Sequence, residues 1–135
     1  MSTPTKQDIC TFVKKAISHK QSNEELLFPL PSITIDRVKK MLHLNMNGYN
    51  CAISAHSIRH IKRGHPDDLM YICDIVEILE TFHRVEKSIT RDRKTGASLV
   101  SLEFYKKYES NTLKLVKLKI HIKKRLELKT LFIRQ

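Results

Sequence analysis

An α+β fold is predicted by a change of hydrophobic period part-way along the chain, by the largely helical pattern before it, and by the short breaks after it. Up to about Phe82 the apolar residues recur mostly at three- and four-residue intervals, and from His83 onward they alternate. The alternating runs are residues 83–90, 98–108, 112–123 and 125–134. Breaks this short join only antiparallel neighbours, so the runs predict a four-stranded antiparallel β-meander packed against N-terminal helices. A length of 135 residues fits one domain, and 41% hydrophobic with 29% charged residues marks it as globular.

The first predicted helix covers 8–19, with Ile9, Phe12, Val13, Ala16 and Ile17 on one face and Thr5 or Asp8 as cap. Residues 22–25 read as a short helical turn or loop, broken by Phe28-Pro29-Leu30-Pro31. A short helix over 36–43 groups Val38, Met41 and Leu42, and Asn45 to Gly48 form a turn. Residues 49–54 are extended. Ser54 then caps a helix over 55–63, which Gly64 ends and Pro66 cannot continue. Pro66 or Asp67 opens a longer helix to about Thr81, whose wide apolar stripe includes Leu69, Ile72, Cys73, Ile75, Ile78 and Leu79. In the meander, alternation slips by one near Val116 and Lys117, which predicts a β-bulge. One sheet face is apolar, and the other carries Glu103, Tyr105, Lys119, His121, Glu127 and Lys129. Thr130 shares parity with Leu126, Leu128 and Phe132, which aims it at the core.

Charge narrows the function. The net charge is +11, and residues 83–135 alone hold 15 basic against 5 acidic groups. Such a field favours a polyanion, whose condensed counterions are exchanged for Lys and Arg. No basic amphipathic helix points to an anionic membrane. No run approaches the roughly 18 uncharged apolar residues of a membrane span. The first residues, Met1 to Lys6, lack the apolar region of a secretion signal. Cys10, Cys51 and Cys73 are odd in number and without CxxC spacing, so they read as reduced thiols of a cytosolic protein, Cys10 and Cys73 within apolar patterns.

The segment richest in chemistry is Ile53-Ser-Ala-His-Ser-Ile-Arg-His-Ile-Lys-Arg-Gly-His-Pro66. On a helix, His56, Arg59 and His60 fall at i, i+3 and i+4, so they share a face, with Ile58 and Ile61 opposite. A Gly64-His65-Pro66 turn is expected to fold His65 back toward that face. Cleavage of RNA needs a base for the 2′-hydroxyl proton, an acid for the leaving 5′-oxygen and a cation for the phosphorane. Histidine suits the proton transfers and Arg or Lys the charge. The His56–His60 spacing also suits zinc, but position 57 is Ser rather than the Glu of HExxH, and Arg59 and Arg63 disfavour a dication. No metal or other cofactor is therefore expected. His19, His43 and His83 read as structural or solvated.

The order of strand, Ser-x-His-x-x-x-His-bearing helix, second helix and antiparallel meander resembles the barnase–EndoU–colicin–RelE superfamily of ribonucleases. The stretch from Ile53 to Pro66 is similar to its phage-associated branch and to C-terminal toxin domains of polymorphic systems. The resemblance covers about residues 49–135, leaving 1–48 as a helical N-terminal extension. It implies metal-independent cleavage of RNA, often tRNA, by a small toxin that an acidic immunity or antitoxin protein neutralises. It implies His60 and His65 as base and acid, then Arg59 and His56, with a strand residue drawn from Thr130, Lys129, His121 and Tyr105. Arg59 with Lys129 or Lys119 holds the scissile phosphate, and Arg63, Lys119, His121 and Tyr105 meet the substrate. The site of action is expected to be cytoplasmic, reached by a free-standing chain or by delivery as part of a larger toxin.

Two other classes fit the same charge. One is a non-catalytic nucleic-acid binder or regulator, against which the histidine excess weighs. The absence of Trp, with 4 Tyr and 5 Phe, also argues against an open sheet that stacks bases. The other is an interaction module whose basic surface meets an acidic protein.

Overall fold

The computed structural model describes residues 2–109, 111–120 and 123–134. Its first helix, α1 (Lys6–Ser18), opens on a reciprocal cap. The Asp8 amide donates to Thr5 Oγ1 at 3.1 Å, and the Thr5 amide donates to the Asp8 carboxylate at 3.0 Å. Where a turn or loop over 22–25 and a break over Phe28–Pro31 are expected, the chain forms a strand, β1 (Glu25–Pro29). It lies at the sheet edge, where Pro29 costs no ladder bond, and it buries Phe28 fully. Helix α2 (Ser32–Leu42) starts directly after Pro31 and earlier than its apolar pattern does. Strand β2 (Asn50–Ser54) leads into α3 (Ala55–Gly64), and Ser54 Oγ accepts from the Ser57 amide at 3.1 Å.

The long helix expected from Pro66 to Thr81 is divided. Pro66–Asp74 is a 3-10 helix, and only Ile75–Thr81 is α-helical (α4). Tertiary ties hold the tighter first part. Asp68 Oδ2 accepts from the Ile133 amide at 3.1 Å, and Cys73 forms a disulfide with Cys10 of α1. This corrects the reading of both as reduced thiols. The odd count and missing CxxC describe spacing along the chain, whereas the pair is created by packing α1 on the 3-10 helix. Cys51, buried in β2, takes no part in the disulfide.

Four strands complete the chain: β3 (Arg84–Arg91), β4 (Ser98–Tyr108), β5 (Asn111–Ile120) and β6 (Arg125–Arg134). They form the expected antiparallel run, but the sheet is larger and mixed, with six strands in the order β1-β2-β6-β5-β4-β3. The added seam is parallel, joining β2 to β6 through Asn50–Arg125, Cys51–Leu126 and Ala52–Glu127. Cys51 and Ile53 are buried on the helix side with Leu126 and Leu128, so pairing the two strands closes one core. The rest of that core is drawn from Ile9, Val13, Phe28, Ile58, Ile61, Ile72, Ile78, Phe82, Phe104 and Leu115. The first 48 residues contribute α1, β1 and α2, and β1 pairs antiparallel with β2. Among the described residues no helix is long and apolar enough to cross a membrane.

The bulge falls where the alternation slips. Val116 pairs with Thr130 while Lys117 pairs with Leu128, which leaves Lys129 as the extra residue of β6. The buried positions of β6 change parity there, from Leu126 and Leu128 to Leu131. Thr130 is consequently half-buried rather than a core residue, and Phe132 leaves the core altogether.

Candidate active site

The pairing of β2 with β6 stops at Ala52 and Glu127, and two residues later β2 gives way to α3. The Ser54 cap fixes the direction of that helix, which buries Ala55, Ile58 and Ile61 in the core and leaves His56 and His60 exposed. His56, Ser57 and His60 form one wall of the resulting cleft, of about 350 Å³, with Ser54 at its root. Glu127, Leu128 and Lys129 of β6 form the other wall, and Ala52 and Glu25 close the floor and far side. His56, His60 and Lys129 are exposed to solvent. Below them Arg125, only 14% exposed, ion-pairs with Glu25 and lies 3.5 Å from Glu127. One buried guanidinium thus holds two carboxylates of the cleft in place. The arrangement supplies two imidazoles one turn apart, an exposed ammonium on β6, and two carboxylates beside Arg125. That set can move protons and hold an anion.

The other residues singled out by the sequence lie elsewhere. Arg59 is not beside the two histidines. Its guanidinium turns to α1 and the loop after it, donating to the carbonyls of Ser22 at 3.0 Å, Ala16 at 3.3 Å and His19 at 3.5 Å. Arg63 lies on that same far side, where Lys20, Lys62 and Ile17 line a separate hollow with Arg59. His65 is not folded back into the cleft: its ring stacks on Phe132, centroids 4.8 Å apart and planes 17° from parallel. Thr130 follows the bulge. Lys119 pairs in register with Val100 and Leu126, and His121 lies outside the described residues.

Tyr105 is 3% exposed on the open sheet face, with its hydroxyl 3.2 Å from Glu103 and 3.4 Å from Glu86. Burial, and then the Glu103 charge, push its phenol up from the ordinary tyrosine value. The guanidinium of Arg84 sits 4.1 Å above its ring, with that of Arg134 at 5.5 Å. Sequence reasoning missed Glu25, hidden in the unrecognised β1, and Arg125, which reads as a hairpin residue. Ser57 stands in the motif between the histidines and was not assigned a part. Among the described residues no group of three or more His, Cys, Asp or Glu side chains is placed to hold a metal ion.

Fold and cleft together define a small α+β protein with a histidine-lined cleft where β2 meets β6. A family model described as phage-Barnase-EndoU-ColicinE5/D-RelE like nuclease3 matches residues 32–135, and the chain belongs to that nuclease family. This is the superfamily that the α3 motif resembles, and the match starts earlier than residue 49, taking in α2. No match was found among curated proteins or among solved structures.

Proposed function

We propose that the chain is a metal-independent endoribonuclease that cuts RNA by attack of the 2′-hydroxyl on the adjacent phosphate. The observation that carries this reading is the pair His56 and His60 facing Lys129 across one cleft. One imidazole accepts the 2′-hydroxyl proton as the 2′-oxygen bonds to phosphorus. The other, entering as imidazolium, gives its proton to the departing 5′-oxygen. The products are a 2′,3′-cyclic phosphate and a free 5′-hydroxyl, and the two histidines have exchanged protonation states. Lys129 stabilises the charge that builds on the phosphorane oxygens. Membership of a nuclease family supports this chemistry, and the basic residues of 83–135 support RNA, tRNA included, as the polyanion. A toxin acting on RNA in the cytoplasm, blocked by an acidic immunity or antitoxin protein through steered association, fits the same charge.

The test is incubation with total tRNA in EDTA, beside the His56→Ala, His60→Ala and Lys129→Ala variants, with products resolved on a denaturing gel. Fragments ending in cyclic phosphate from the wild type, lost in His60→Ala, are the expected result. Intact RNA that is bound with a steep salt dependence would instead identify a non-catalytic binder. Cleavage that appears only with added zinc would refute metal independence.

A further inference from the structure

The His65–Phe132 stack belongs to no wall of the cleft, and its construction is too deliberate for a solvated side-chain contact. The backbone of His65 is fixed on both sides: its amide donates to the Ile61 carbonyl at 2.7 Å, and its own carbonyl accepts from the Asp68 amide at 3.1 Å. Asp68 in turn takes the Ile133 amide, next to Phe132, at 3.1 Å. The two rings are therefore tied to each other through α3, the 3-10 helix and the free edge of β6. Both are half-buried, leaving ring surface in reach of a ligand. The Lys114 ammonium lies 5.9 Å from the Phe132 centroid and 3.3 Å from Glu103. Phe132 stands three residues after Lys129 on the same strand, about 10 Å away at the usual strand rise. A planar aromatic surface beside a cation, one short step from the cleft, fits a nucleobase and its phosphate.

We infer that His65, held flat by Phe132, is a base-stacking platform that seats one unpaired nucleotide next to the phosphate in the His56–His60 cleft. This rests on the reading of that cleft as an RNA-cutting site. Stacking of this kind needs an unstacked base, so the platform selects single-stranded loops and ends over duplex RNA. It also gives His65 a binding duty in place of the proton transfer that the sequence assigns to it. One stacked pair serves one base, which agrees with the low aromatic content of the chain.

The test reads binding and cleavage separately. Anisotropy of a labelled single-stranded RNA hexamer is followed with the His60→Ala protein, moving one abasic site along the hexamer. One abasic position is expected to weaken binding ~5- to 150-fold, the value of one stacked base. Adding His65→Ala should abolish that positional penalty, and His65→Phe should restore it. In the otherwise native protein, His65→Ala and Phe132→Leu should raise KM with little change in kcat, and His65→Phe should reverse most of the KM rise seen in His65→Ala. An abasic penalty that survives His65→Ala overturns the platform. Loss of kcat in His65→Phe as complete as in His60→Ala overturns it too, by making His65 a proton donor or acceptor. A wild type that cleaves nothing yet shows the positional penalty refutes the nuclease reading while upholding the platform.

Discussion

Arg59→Ala separates a structural arginine from a catalytic one. In the fold this guanidinium reaches three backbone carbonyls, of Ser22, Ala16 and His19, at 3.0, 3.3 and 3.5 Å. The last is at the limit of a hydrogen bond and shares its Nη1 donor with Ala16, so two effective bonds remain. A charged donor on a carbonyl contributes about 1.5 to 3 kcal/mol, and the partial exposure of Arg59 places each bond at the low end. Two bonds then give about 3 kcal/mol, with a further few tenths from a cation at the carbonyl end of α1. Urea unfolding should show Arg59→Ala less stable by about 3 kcal/mol, and Arg59→Lys intermediate, since one ammonium cannot serve carbonyls that far apart. RNA affinity of the folded fraction should be unchanged. An Arg59→Ala protein with wild-type stability, weaker RNA binding and a salt slope reduced by about one would refute the reasoning and return the residue to the phosphate.

Further outcomes follow from the same coordinates. Joining residues 63 positions apart, the Cys10–Cys73 disulfide should stabilise the fold by about 4 kcal/mol through loop closure. Denaturation with and without reductant should show this difference, and Cys10→Ser should remove it. Burial, then the charges of Lys107 and Arg84, hold the His83 imidazole below the ordinary histidine value. The unfolded chain therefore binds the proton first, so this contribution is present above the unfolded value of 6.5 and is lost as pH falls below it. His83→Gln should flatten the stability profile across that acid limb, and an unchanged slope would show that other groups govern it.

Much of the architecture was legible because it rests on local signals. Ser54 announces the start of α3 by its side chain alone, and the slip in alternation at Val116 locates the bulge that puts Lys129 in the cleft. Strand β1 was not legible, since five residues ending in proline carry no period and only pairing with β2 makes them a strand. The disulfide and the split of the second long helix depend on contacts between distant segments. At the site, the spacing of His56 and His60 was informative, whereas that of Arg59 misled. Residues 59 and 60 differ by about 100° around a helix, so a long side chain at 59 can swing to a neighbour that position 60 never meets. Thr130 was misplaced for the opposite reason: its parity was counted across a bulge that reverses it.

The parallel seam between β2 and β6 also bears on when the cleft comes into being. Histidines from the middle of the chain meet Lys129 and Glu127 only after the last described strand has docked beside β2. A chain whose β6 has not yet left the ribosome holds the imidazoles but no opposing wall. Parallel pairing between such distant segments is intrinsically slow, because its loop-closure entropy is lost before its contacts are gained. Partly folded copies therefore carry the two histidines without the cleft, which is complete only once β6 has docked beside β2.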